Sequence, residues 1–352
     1  MTCENRKVVI DLDALQSNIA LIKTRLAPGK QIMAYVKAQA YGHGISQPLI
    51  SAMSQVDGFA VACLEEAKQI RSLTTKTVLL NGAHLCDETF QDAGDLDVDV
   101  VIHHAQFDLR LLALLPSLWL KVNTGMNRMG LTVSEARRLL SLWPTKPTVI
   151  MTHLADSLPY SKKNDQQVEQ LRALKREYPH VLLSYANSSR LLSGQDVGDW
   201  VRPGLLIYGA IPFYEKSKQS DGVKAISHFC ARVIAHQHLE AGDTVGYGRA
   251  YHASKKEKIA IVSAGYADGY PRESVHPLYV EFEKRVYPVV GKVSMDTLSI
   301  CEVDEQLPEV GSWVILWGGQ FGIEAVASAC DRSPYELMVN LSERSFREYI
   351  GG

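Results

Sequence analysis

The fold is decided by residues 31–81, QIMAYVKAQAYGHGISQPLISAMSQVDGFAVACLEEAKQIRSLTTKTVLLN. Three apolar runs, Ile32–Lys37, Gly58–Leu64 and Thr77–Asn81, each end in polar or glycine residues. After Leu64 the segment Glu65-Glu-Ala-Lys-Gln-Ile70 opens like a helix, with acids at the end the helix dipole favours. Runs that are apolar throughout, without alternation, are the mark of strands covered on both faces, as in parallel sheets. The pattern continues through Val98–Ile102, Leu118–Val122, Thr148–His153, Val181–Ala186 and Val201–Tyr208. Between the runs, Ser134–Leu142 and Asp165–Tyr178 carry apolar residues at helical spacing, among them Val168, Leu171 and Leu174. Strands alternating with helices about eight times predict an α/β chain with a (β/α)8 TIM-type barrel. One false strand would turn the reading into a doubly wound sheet.

The pattern changes after Pro212. A polar linker, Glu215–Asp221, leads to strand-length runs at Phe229–His236, Lys258–Ser263, Val286–Val290 and Trp313–Trp317, separated by turn residues. Helices are expected at Glu324–Cys330 and after Pro334. The expected organisation is a barrel over 1–218 and a mainly β C-terminal domain over 219–352. Residues 1–12, with the strand Lys7–Asp11, are able to pair with that second domain.

The chain has 352 residues, with Lys+Arg 37 against Asp+Glu 39, so it lacks the basic excess of a nucleic-acid binder. Its 46% hydrophobic and 22% charged residues exclude a disordered or fibrous chain. The six cysteines are scattered without a C-x-x-C, no apolar leader follows Met1, and no run is long enough to span a bilayer. A cytoplasmic protein with no membrane partner is expected. No H-E-x-x-H or other metal-ligand spacing occurs, so no metal is expected, and His103-His104 reads as a helix start. There is likewise no G-x-S-x-G and no P-loop.

In such a barrel, chemistry sits at the C-terminal strand ends. Lys37 closes the first run. A lysine there either pairs with an acid or acts as an amine, and burial favours the neutral form that makes a Schiff base. The loops after strands seven and eight, where barrels hold phosphate, carry Asn187-Ser188 and Arg202-Pro-Gly204-Leu205. The Ser188 hydroxyl and the Gly204 and Leu205 N–H groups are candidate phosphate donors. By themselves, Tyr247 reads as an interface tyrosine, His153 as a core histidine and Arg202 as half of a surface ion pair.

Seven motifs, in order, resemble those of the alanine racemase family. Ala34-Tyr-Val-Lys37-Ala-Gln-Ala-Tyr41-Gly-His-Gly44 is similar to its pyridoxal-phosphate lysine motif, A-V-V-K-A-D-A-Y-G-H-G. Lys121-Val-Asn-Thr-Gly-Met-Asn-Arg128-Met-Gly is similar to L-K-x-D-T-G-M-x-R-x-G. Ala186-Asn-Ser188, Val201-Arg202-Pro-Gly204-Leu-Leu-Ile-Tyr208, Val245-Gly-Tyr247-Gly-Arg249, Gly265-Tyr-Ala-Asp-Gly-Tyr-Pro-Arg272 and Gly291-Lys-Val-Ser-Met295-Asp296 complete the set.

The resemblance implies that this chain interconverts L- and D-alanine with pyridoxal 5′-phosphate, supplying D-alanine for peptidoglycan. Lys37 would hold the cofactor and serve one face of the substrate Cα, and Tyr247 from a partner subunit would serve the other, in a homodimer with shared sites. A phenol is a weak base at neutral pH; the resemblance gives Tyr247 the help of His153, which Arg202 contacts. Arg202 also points at the cofactor's ring nitrogen and, being cationic with no acceptor, keeps that nitrogen unprotonated. Tyr41, Ser188, Gly204 and Leu205 would hold the phosphate. Arg128 and the backbone N–H of Met295 would hold the substrate carboxylate, Lys121 would be carbamylated and orient Arg128, and Tyr266 and Arg272 would line the entrance. Asp268 reads as structural.

Three departures from the family pattern stand out: that at Asn123 removes a charge near Lys121 and Arg128, and that near the C-terminus bears on the width of the substrate entrance. Gln39 and Asn123 replace family aspartates, and Glu343-Arg-Ser-Phe-Arg347 replaces R-V-P-R with no tyrosine to narrow the entrance. A racemase of broader range, acting on serine or lysine, is the neighbouring reading, and a non-catalytic cofactor-binding homeostasis protein, which would lack the β domain and the Tyr247 motif, the more distant one.

Overall fold

The computed structural model describes residues 5–156, 160–211 and 221–352. The expected boundary at 218/219, and all of the expected linker except Asp221, lie outside those residues.

The barrel strands are β2 (Gln31–Tyr35), β3 (Gly58–Val61), β4 (Thr77–Leu80), β5 (Asp99–Ile102), β6 (Leu118–Lys121), β7 (Thr148–Met151), β8 (Leu182–Ser184) and β9 (Trp200–Val201), preceded by β1 (Arg6–Asp11). From β2 to β8 each pairs in parallel with the next, and β9 pairs in parallel with β2. Two amides, Asp199 to the Leu183 carbonyl and Arg202 to that of Ala186, both at 2.8 Å, join the last turn of chain to β8 and close the ring. Every residue of β3, β5, β6 and β7 is buried, which is why these segments read as unbroken apolar runs.

Helices α1 (Leu12–Thr24), α2 (Lys37–Tyr41), α3 (Gln47–Ala52), α4 (Leu64–Arg71), α5 (Asp87–Asp95), α6 (Val133–Leu142), α7 (Lys162–Glu177) and α8 (Ser188–Leu192) connect the strands. In α7 the stripe Val168, Leu171 and Leu174 is buried, as its spacing predicts.

Two segments differ from expectation. The eighth run is a strand only at Trp200–Val201, because Pro203 has no N–H for a ladder. The chain then coils, with Ile207 N–H donating to Gly204 and Tyr208 N–H to Leu205. His103-His104 lies in a loop and starts no helix; the next helical turn is Leu109–Leu114, whose cap Asp108 accepts from the Arg110 amide.

The second unit is antiparallel. It comprises β10 (Ser227–Leu239), the small pair β11 (Thr244–Val245) and β12 (Tyr251–His252), then β13 (Glu257–Val262), β14 (Tyr279–Phe282), β15 (Arg285–Val290), β16 (Leu298–Cys301), β17 (Trp313–Trp317) and β18 (Phe346–Ile350). Helices α9 (Ile323–Ala329) and α10 (Pro334–Val339) pack beside it. The sheet runs β13-β16-β15-β14-β17-β10-β1-β18, and β10 also pairs with β13, so it curls back on itself. The chain's first strand, β1, sits inside this sheet, antiparallel to β10 and parallel to β18. One continuous cluster of buried apolar residues runs from the barrel into this sheet. Among the described residues no helix is long and apolar enough to cross a membrane.

Asp268 ties these parts together. Fully buried, it pairs with Arg6 of β1 at 3.1 Å and Arg344 at 3.4 Å, and accepts the Gly265 amide at 3.0 Å. Asp268→Ala leaves Arg6 facing a hole, and removing one partner of such a buried pair costs about 3–5 kcal/mol. Urea unfolding should show that loss; an unchanged midpoint would contradict the structural role.

Candidate active site

The site begins where β2 ends. Ala38, Gln39, Ala40 and Tyr41 all take left-handed backbone conformations, with φ of 51–54°. Each such residue with a side chain costs roughly 1–2 kcal/mol, so the turn persists only because its surroundings hold it. Within it, Ala40 N–H donates to the Val36 carbonyl at 2.8 Å and Gly42 N–H to that of Ala38 at 2.9 Å. From the second sheet, the Arg347 guanidinium donates to the Gly42 carbonyl at 2.8 Å and the Tyr349 hydroxyl to that of His43 at 2.9 Å. The His43 ring, buried and pulled down to about pH 4 by that burial, bridges the Ala40 carbonyl and the Ser227 hydroxyl. Gly42 has φ 81°, and a Cβ there would lie 1.9 Å from the Met338 carbonyl oxygen, so only glycine fits.

This turn brings Lys37 to a cleft of about 950 Å3 that it shares with Tyr41, Arg128, His153, Ser188 and Tyr335. A deeper pocket of about 120 Å3 adds Lys121, Arg202 and Gly204. Arg202 is buried, not at the surface: it donates to the Ser184 hydroxyl at 2.6 Å and the Thr152 carbonyl at 2.5 Å. Burial lowers its pKa.

The electrostatics of the pocket are those of an anion site. Burial, then Arg202, Arg128 and Lys37, pull Lys121 down to about 8. Burial, then Arg202, hold His153 down to about 3, so its ring is neutral at physiological pH. Partial desolvation and Arg128 lower Lys37, with Glu66 opposing them. Four cationic side chains at one barrel mouth favour negatively charged guests.

At one end the donors converge. The Ser188 hydroxyl oxygen accepts the Gly204 amide at 3.3 Å and the Leu206 amide at 3.2 Å. A Cβ on Gly204 would lie 2.7 Å from the Tyr41 hydroxyl, so glycine is what lets that phenol approach the backbone. The Tyr335 phenol lines the same pocket as Ser188 and Gly204; burial raises it, with the Leu205 backbone and the Ser188 hydroxyl opposing. This set of hydroxyls and amides beside buried cations fits a phosphate group; the amides on Ser188 are those of Gly204 and Leu206.

Tyr335 is the residue that sequence reasoning missed. It lines the cleft from the start of α10, whereas Glu343 is exposed and lines neither cavity at Lys37. Ser333-Pro334-Tyr335-Glu336 is an N-terminal helix signature, so the helix was visible in the sequence but its reach across the cleft was not.

The other departures have local explanations. Asn123 accepts the amides of Gly125 (3.1 Å) and Asn127 (3.0 Å), shaping the loop that carries Arg128. A side-chain oxygen suffices for that task, whether amide or carboxylate. Gln39 accepts the Ile45 amide at 3.2 Å and donates to Gln69 at 3.1 Å, which latches the lysine turn to α4.

The remaining site residues lie apart on the second unit. Tyr247 is 70% exposed, Met295 52% and Tyr266 41%. Tyr247 occupies a single helical turn, Tyr247–Arg249, entered through Gly246 at φ 72°. The Met295 segment is pinned to the Tyr266 turn, since Tyr266 N–H donates to Ser294 at 3.1 Å and Ala267 N–H to Met295 at 3.0 Å. A Cβ on Gly265 would meet the Ser294 and Met295 carbonyl oxygens at 2.2 and 2.3 Å, so the packing demands glycine. Arg272 sits 5.8 Å from the centre of the Tyr266 ring. Tyr247, Tyr266, Arg272 and Met295 line neither cavity at Lys37 within the chain.

Comparison with known proteins covers the whole chain. Residues 10–212 match the sequence model of the alanine racemase N-terminal domain, and residues 226–349 that of its C-terminal domain. An alanine racemase of Stutzerimonas stutzeri is 36% identical over 355 residues, spanning 97% of this chain and 98% of that one. The structure of alanine racemase from Acinetobacter baumannii superposes with a TM-score of 0.91 at 34% identity, covering 99% of this chain and all 100% of that one. Alanine racemase from Bartonella henselae, solved with covalently bound pyridoxal phosphate, superposes with a TM-score of 0.87 at 26% identity, covering 98% of this chain and 99% of that one.

Proposed function

The chain belongs to the alanine racemase family, and from that premise we propose that it interconverts L- and D-alanine with pyridoxal 5′-phosphate bound at Lys37. The observation that carries this reading is the convergence on one cleft of Lys37, the buried Arg202 and the Ser188–Gly204 cradle. Ser188, Tyr41, Tyr335 and the amides around Gly204 would hold the phosphate. Arg202 would face the ring nitrogen, and as a cation with no acceptor it would leave that nitrogen without a proton. When bound, the cofactor supplies an electron sink that lets the proton on Cα leave.

The chain's own residues do the rest. Arg128, whose paired donors match both carboxylate oxygens, would bind the substrate together with the backbone N–H of the partner subunit's Met295. Lys37 Nζ takes or returns the Cα proton on one face. The phenol oxygen of the partner subunit's Tyr247 does so on the other, as inversion at a planar carbon requires. A neutral His153 has a ring nitrogen free to accept from that phenol. The exposure of Tyr247, Tyr266 and Met295 supports a homodimer in which each protomer completes the other's site. Lys121, lowered to about 8 and ringed by cations, is suited to carbamylation, which needs a neutral amine and would give Arg128 an anionic neighbour.

A panel of L-amino acids tests the reading. Alanine should racemise at least about tenfold faster, as kcat/KM, than serine or lysine. Comparable rates on all three would favour the broad-range enzyme, and no turnover on any would favour a cofactor-binding protein without catalysis.

A further inference from the structure

We propose that Glu66 is a positioning residue for Lys37: its carboxylate caps the left-handed turn that carries the lysine and places a negative charge in the wall of the cleft that Lys37 lines. This rests on reading Lys37 as the cofactor-bearing lysine.

The geometry is specific. Glu66 stands in the first turn of α4 and is only 9% exposed. One oxygen accepts the Ala62 amide at 2.9 Å, closing the start of its own helix, whose cap residue Cys63 gives no side-chain bond. The other reaches across to the Gln39 amide at 3.3 Å. The Gln39 N–H belongs to the opening of the left-handed turn, where a helical segment has donors without internal partners. A carboxylate from a neighbouring strand–helix unit therefore does for this turn what a cap does for a right-handed helix. At the far end Arg347 holds the Gly42 carbonyl, so the turn is gripped at both ends by charged groups.

The charge itself has a direction. Arg128 lowers Lys37 and Glu66 raises it. The other groups around the cleft do not offset this. Arg202 is a further cation and His153 is neutral, while the charge of a carbamate on Lys121 would be taken up by Arg128. Asp156 accepts the Ser161 hydroxyl and Glu336 pairs with Arg332, both in the outer cleft. Tyr35, Tyr41, Tyr335 and Cys63 are all raised by burial and stay neutral.

The test uses holoenzyme variants, read by cofactor absorbance against pH and by steady-state kinetics. Glu66→Gln keeps one acceptor oxygen but removes the charge, so a protonated lysine nitrogen loses its support. Its spectral midpoint should fall to lower pH by about one unit. In the same variant kcat should fall roughly 10- to 100-fold with KM for alanine near wild type, because the lysine is misplaced while the substrate clamp is intact. Glu66→Asp keeps the charge but withdraws the oxygen from the Gln39 amide: its midpoint should stay while kcat falls, and this arm decides the matter if Glu66→Gln does not fold. A Glu66→Gln holoenzyme with the wild-type midpoint, or a Glu66→Asp enzyme with wild-type kcat, would overturn the proposal. Wild-type protein with no borohydride-fixable absorbance would refute the lysine reading and this inference with it. A normal wild-type spectrum beside an unmoved Glu66→Gln midpoint refutes this inference alone.

Discussion

Lys37→Ala should leave no detectable racemisation in either direction and no absorbance that borohydride can fix to the protein. Two losses combine in that variant. The amine that tethers the cofactor is gone, and so is the proton carrier on one face of Cα, a role worth about 10²–10⁴ in rate by itself. Nothing else in the cleft can replace it. Lys121 sits deeper among cations, buried at the end of β6, and Arg128 has no neutral form to offer. The cradle at Ser188 and the Arg202 hydrogen bonds do not involve Lys37, so phosphate binding should persist as reversible, non-covalent affinity. Residual activity within an order of magnitude of wild type would contradict the assignment.

Tyr247→Phe should cost about 10²–10⁴ in kcat, and unequally in the two directions, since each enantiomer places its Cα hydrogen on a different face. The substitution removes only the hydroxyl. The ring, 70% exposed in the protomer, can still pack against a partner, so a dimer and a bound cofactor should both survive. An assay from L-alanine and another from D-alanine, with a solvent-deuterium label to report which exchange step has slowed, read the asymmetry directly. Equal and full activity in both directions would exclude a two-base scheme involving this tyrosine.

The barrel was legible because parallel strands buried on both faces are mostly apolar: β3, β5, β6 and β7 are buried at every position, and the polar residues Asp99, Lys121 and Thr148 fall only at their ends. The second sheet was half legible. Strands β14 (YVEF), β16 (LSIC) and β18 (FREYI) are short or carry charges in alternation, so they gave weak signals beside longer runs such as β10. The sites for Lys37 and His153 could be read as ends of apolar runs, whereas Arg202, at the start of one, read as a surface ion pair. The left-handed turn after Lys37 could not: Ala-Gln-Ala-Tyr has ordinary right-handed preferences, and only the tertiary grip of Glu66, Arg347 and Met338 imposes the opposite hand. Tyr335 escaped for a similar reason. A one-dimensional reading looks for an entrance residue near its motif, whereas the structure brings this one in from the start of a separate helix.

A site shared between two protomers would also explain the odd distribution of chemistry along the chain. One set of residues lines a cleft at the barrel mouth, and another, pinned by Gly265 and the Met295 segment, faces outward with large apolar side chains. Neither set is complete. Mixing inactive protomers is the direct measurement of whether they complete each other. Lys37→Ala chains, which keep their phenol, are co-refolded in equal amounts with Tyr247→Phe chains, which keep their amine. Random pairing makes about half the dimers mixed, each with one intact and one doubly impaired site, so about a quarter of wild-type activity should return. A mixture no more active than its two components would mean that the lysine and the tyrosine never meet across a subunit boundary.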